Sequence, residues 1–199
     1  VWKDALYFQA ETMAHGKELW KSDGTAAGTV EFTDILPEAL GSNPYGFVGT
    51  EDWLFFRASN LVYGNELWAT DGVAGGTIRA FDLYPGDKSG HPYNIAAIGK
   101  YLFFSASDGV HGEELWALAL ADLEKPPVLV QDIRPGLASS EPHSLTSLGG
   151  NIAQFVYKTE AGDDALMKME GEGMKLVFEG KGVNIPTFTA PVEEVEVEE

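Results

Sequence analysis

The segment ELWKSDGT at 18–25 returns as ELWATDGV at 66–73, and its ELW core returns at 114–116. Glu18, Glu66 and Glu114 are therefore 48 residues apart, and so are LYF at 6–8, LFF at 54–56 and LFF at 102–104. A fixed period of this size marks a repeat architecture, in which no single unit buries its apolar face alone. Asp34-Ile35-Leu36-Pro37 likewise becomes Asp82-Leu83-Tyr84-Pro85 and then Asp132-Ile133-Arg134-Pro135. The last of these steps lengthens to 50 residues because ALALADLEKPP replaces the turn after Trp116. A worn fourth copy follows: Ile152–Tyr157 stands for the LFF strand, ALM at 165–167 for ELW, and Met174–Phe178 for the next strand.

Each copy consists of short runs rich in aromatic and branched residues, separated by Gly, Asp, Ser and Pro. In the third copy the runs are Tyr93–Ile98, Tyr101–Ala106, Glu114–Leu118 and Val128–Asp132. Their length and composition are those of strands, and no stretch carries the three-to-four spacing of an amphipathic helix. Four antiparallel strands per unit, at this period, predict an all-β propeller of four blades. Membership of a larger ring is the alternative. LFF is apolar at successive positions, as a strand needs when sheets cover both its faces.

Blade repeats are expected at about 5–43, 44–91, 92–141 and 142–182 of a single domain, 1–190. Blade one lacks the Pro-led strand that opens the others, and Asn184–Thr189 resembles it. Residues 183–190 are therefore expected to close the ring, which removes an unpaired sheet edge. Residues 191–199 read as an acidic tail or linker.

The in-phase residues Glu18, Leu19, Trp20, Asp23, Gly24 and Asp34 recur as Glu66, Leu67, Trp68, Asp71, Gly72 and Asp82, then in part as Glu114, Leu115, Trp116 and Asp132. Asp-Gly is a reversal signal, and the tryptophans fit packing between blades. These positions are expected to be structural. An acid–base pair needs two differently tuned carboxylates, whereas carboxylates that recur in every blade fix turns. His15 and His111 share one turn position 96 residues apart, so a common metal between them is not expected. Calcium is the one cofactor entertained, with Asp23, Asp71 and Asp108 as candidate oxygen ligands. No catalytic residue is assigned. Tyr45, Tyr63, Tyr84 and Tyr93 are candidate ligand-facing aromatics.

The net charge of −18, or −13 without the five glutamates of 192–199, argues against nucleic acid as a partner. No apolar run approaches a membrane span. There is no cysteine, so disulfide stapling and thiolate chemistry are excluded. Val1 in place of an initiator methionine is expected of a processed or cut chain.

LYFQAETMAHGKELWKSDGTAAGTVEFTDILPEALGSNP, FSASDGVHGEELW and DIRPGLASSEPHSLTSLGG resemble the bacterial ELWxxDGT-repeat, or hyalin-like repeat, family. The resemblance spans about three quarters of the chain and implies a propeller of large secreted or surface-attached proteins, with no enzymatic role in the repeat. The expectation from residues and resemblance together is a non-catalytic propeller, extracellular, cell-surface or periplasmic, that binds or scaffolds other proteins or forms a subunit of a larger extracellular assembly. A glycan-binding propeller is the second expectation, and a polysaccharide hydrolase or lyase the third.

Overall fold

The computed structural model describes residues 1–149 and 152–170 and the backbone of 175–178. Fifteen strands form four antiparallel sheets there, each a meander in sequence order. The first sheet contains β1 (Leu6–Thr12), β2 (Gly16–Ser22) and β3 (Val30–Thr33). The second contains β4 (Tyr45–Gly49), β5 (Leu54–Asn60), β6 (Gly64–Thr70) and β7 (Thr77–Phe81). The third holds β8 (Tyr93–Ile98), β9 (Tyr101–Ala106), β10 (Glu114–Ala119) and β11 (Val128–Gln131). The fourth holds β12 (His143–Gly149), β13 (Ile152–Lys158), β14 (Asp164–Glu170) and β15 (Lys175–Phe178). The leading strands β4, β8 and β12 are neighbours in turn, and β1 lies beside β4. This is the sheet succession of a propeller. The expected closing strand, 183–190, and the tail lie outside the described residues.

Side chains alternate across a strand, and that alternation divides each LFF run between two interfaces. Leu54 and Phe56 face back to Tyr7 and Leu19 of the first sheet, with Trp68 beside them. Phe55 and Leu67 face forward to Leu102, Phe104 and Trp116 of the third. Phe103 and Leu115 face forward again, to Ala153, Phe155 and Met167 of the fourth. Every sheet of the middle pair is thus apolar on both faces. A fully buried Phe or Leu contributes about 1.5–3 kcal/mol, so these interfaces carry the main stabilisation. Trp68 and Trp116 are buried as expected, but Trp20 is only half-buried. Its face of the first sheet is the one that sheets two and three turn toward the preceding sheet.

The in-phase glutamates are carboxylate clamps. Glu18 is buried and accepts hydrogen bonds from the amides of Ile35 (3.1 Å), Leu36 (3.3 Å) and Ser42 (2.7 Å) and from the Ser42 hydroxyl. Glu114 does the same for the amides of Ile133 and Arg134 and the Ser140 hydroxyl. Each clamp ties the middle of a sheet to the loop that leads into the next one. The glycine before it serves the same loop: a Cβ on Gly64 would lie 1.8 Å from the Lys88 carbonyl oxygen.

Glu66 holds only the amides of Leu83 (3.2 Å) and Gly90 (2.5 Å), because Gly90 replaces the serine of the other copies. Burial pushes its carboxyl up to about 7, against the pull of those two amides. A folded-state value above the ordinary 4.5 favours the protonated acid in the fold. Its contribution is therefore full below that ordinary value and is lost as the pH rises through the folded one. Glu66→Gln is expected to flatten the fall of the thermal midpoint over this window. An unchanged slope in that variant would remove Glu66 as the cause.

Candidate functional site

The repeated turn residues are occupied by the turns themselves. Asp23 Oδ1 accepts from the Thr25 amide (2.9 Å) and hydroxyl (2.7 Å), and Asp71 Oδ1 from the Val73 amide (2.8 Å). Asp108 accepts from the amides of Val110 and His111 and lies 2.9 Å from His111 Nδ1. Hydrogen bonds from Thr25 hold Asp23 below the usual carboxylate range. For Asp108, burial pushes upward, but the amide and ring of His111 prevail and lower it. These three aspartates sit in separate turns and do not converge.

A different trio does converge. His15 Nδ1 is 2.8 Å from Glu31 Oε1, and one ligand atom each of His15, Glu31 and Asp34 lies within 4.8 Å of the others. The hydrogen bond that His15 donates to the Glu31 carboxylate raises the His15 pKa above the usual imidazole value. This set could hold a divalent cation, although the His15–Glu31 pair accounts for its geometry without one. No recurrence marked Glu31 in the sequence: Arg79 and Leu129 occupy its register position opposite the tryptophan. In the second sheet Arg79 pairs with Asp82 and stacks 3.6 Å from the Tyr63 ring centre.

The four candidate tyrosines separate in the same way. Tyr63 is held under Arg79, and Tyr84 packs against Gly109. Both are half-buried. Tyr45 and Tyr93 open the leading strands of the second and third sheets and are 63% and 38% exposed. Together they flank a groove of 270 Å³ between β4 and β8.

The groove is shaped by an irregularity that recurs in every leading strand. Register shifts fall between Tyr45 and Val48, Tyr93 and Ala96, and His143 and Thr146. The residue after each first position, Gly46, Asn94 or Ser144, has positive φ. Such bulges re-aim side chains at a strand end. Phe47, Val48 and Ile95 supply apolar wall. Arg57 enters from β5, directly opposite Tyr45 in the ladder. Its guanidinium carbon is 4.2 Å from the Tyr93 ring centre and 5.1 Å from that of Tyr45. Arg57 Nε and Nη1 are buried and have no hydrogen-bond partner. No sequence signal marked this arginine, since Gln9 and Ser105 hold its place in the neighbouring copies.

No protein-family model and no curated protein matches this chain. Its fold is similar to that of solved structures. One is from a structural and mechanistic analysis of two prolyl endopeptidases, with a TM-score of 0.60 at 13% identity over 88% of this chain and 24% of that one. Another is a puromycin hydrolase, with a TM-score of 0.58 at 14% identity over 92% of this chain and 28% of that one. The chain spans about a quarter of the length of these structures. They agree with the four antiparallel sheets of this chain: this is an all-β propeller fold.

The same findings correct the functional expectation. A non-catalytic surface or extracellular scaffold or assembly subunit, a glycan-binding propeller and a polysaccharide-cleaving enzyme were the readings of the sequence, but the solved structures similar to it are described as a prolyl endopeptidase and a puromycin hydrolase. The physical reason is that the repeat reports packing. The ELW and Asp-Gly residues build interfaces and turns, and nothing in them selects a partner.

Proposed function

We propose that this chain is a propeller module that works with a peptidase catalytic unit, holding or admitting peptide at the groove between β4 and β8. Bond cleavage belongs to another part of the assembly. The reading is supported by the likeness in fold to structures described as a prolyl endopeptidase and a puromycin hydrolase. The observation that carries it to a place on the molecule is the Tyr45–Arg57–Tyr93 groove, where two aromatic rings and an arginine meet an apolar wall. Clefts between neighbouring elements, mostly apolar with a few polar groups, are where small ligands bind. The chain has no cysteine nucleophile. Among the described residues no serine hydroxyl is hydrogen-bonded to a histidine ring, the pairing on which acyl transfer by serine depends.

Isothermal titration calorimetry of the chain with a panel of unlabelled tetrapeptides, with and without proline, tests this function. The expected result is saturable binding, with every peptide recovered intact by mass spectrometry. Absence of binding across the panel would refute peptide handling. Cleavage by the purified chain would refute the assignment of chemistry to another unit.

A further inference from the structure

We infer that Arg57 is a receptor for a peptide carboxylate, an inference that rests on the peptide-handling function above and names what its groove recognises. The chain has three arginines, all among the described residues. Arg79 pairs with the Asp82 carboxylate, and Arg134 Nη1 donates to the Ser139 carbonyl at 2.8 Å. Arg57 alone donates to no oxygen, in a chain with 31 acidic residues to choose from.

The repeat shows what this position does when it serves structure only. Gln9 Nε2 donates to the Pro44 carbonyl at 3.4 Å, and the Ser105 hydroxyl to the Tyr93 carbonyl at 3.3 Å. Both neighbours spend their donors on a backbone carbonyl at the start of a leading strand. Arg57 instead lies between two tyrosine rings. Stacking satisfies the faces of a guanidinium through cation–π attraction and leaves its in-plane N–H groups without acceptors. Those donors form a planar fork that matches a carboxylate two-to-two. Tyr45 and Tyr93 come from different sheets, so the fork is fixed by the propeller frame and loses little freedom on binding.

The groove size limits the ligand. At 270 Å³ it lies at the small end of ligand pockets, room for one or two residues of a peptide. Phe47, Val48 and Ile95 would lie against the aliphatic part of the residue that bears the carboxylate. Two sources offer that chemistry: the C-terminal carboxylate and an Asp or Glu side chain.

Three tetrapeptides of otherwise equal composition separate them by calorimetry on the full chain. One has neutral side chains and a free C-terminus, the second is its C-terminal amide, and the third is an amide with one Asp. At least one acid is expected to bind ten times more tightly than the neutral amide, and whichever does so names the source. Arg57→Met should abolish that preference, so that the acid and the neutral amide bind with equal affinity. Arg57→Lys, which keeps the charge but not the fork, should retain part of the preference and reports on the site if the methionine variant fails to fold. Equal binding of all three peptides, or a preference that survives in Arg57→Met, overturns the carboxylate receptor while leaving peptide handling in place. Failure of every peptide to bind overturns both.

Discussion

Glu114→Ala is expected to lower the unfolding free energy by about 3–5 kcal/mol, a large share of the roughly 5–15 kcal/mol that holds a typical domain together. The substitution removes the acceptor for three donors at once: the amides of Ile133 and Arg134 and the hydroxyl of Ser140. Glu114 is fully buried, so water cannot replace it without opening the loop. Each buried donor left without a partner costs on the order of 1–3 kcal/mol. Burial raises the Glu114 pKa, and the donated bonds offset part of that rise, so the carboxylate is kept for its geometry. Glu114→Gln keeps one acceptor oxygen but turns a donor toward other donors, and should fall between wild type and alanine. Urea titrations of the three proteins measure the order. A loss below about 1 kcal/mol for alanine, near the net worth of one ordinary hydrogen bond, would mean that the clamp is not needed.

The clamp also shows how far the sequence could be read. The recurrence of Glu18, Glu66 and Glu114 was plain in the sequence, and a role in fixing turns followed from it. Their partners were hidden, because most are backbone amides 17 to 24 residues downstream and an amide leaves no trace in residue type. The strands were legible for the opposite reason: alternation and turn chemistry are local. In the third copy the expected runs Tyr93–Ile98 and Tyr101–Ala106 are the strands observed.

The groove lay beyond such reading. Tyr45 and Tyr93 repeat in phase, but their meeting around Arg57 depends on two bulges and on the adjacency of two sheets. The arginine itself breaks the repeat. In a repeat protein the positions that agree with the period report on packing, and a binding site is better sought where one copy departs from it. Glu31, which stands between His15 and Asp34, is a second departure of this kind.

Because each sheet touches only its neighbours, stability should be close to a sum of interface terms, and one aromatic position reads them in turn. Phe8, Phe56 and Phe104 are in phase, each opposite a repeat tryptophan. Phe56 is fully buried between the first and second sheets, and Phe56→Ala should cost about 3–5 kcal/mol, the usual range for emptying a well-packed aromatic site. Phe8 is half-buried, as is Trp20 beside it. Its removal leaves a smaller cavity and forfeits less transfer energy, so Phe8→Ala should cost about 1–2 kcal/mol. Denaturant midpoints for the two variants, with the slope unchanged, measure both costs directly. Equal losses would show that the outer face of the first sheet is covered in solution as fully as an interior one, and the account of Trp20 as a half-exposed member of the repeat would fall.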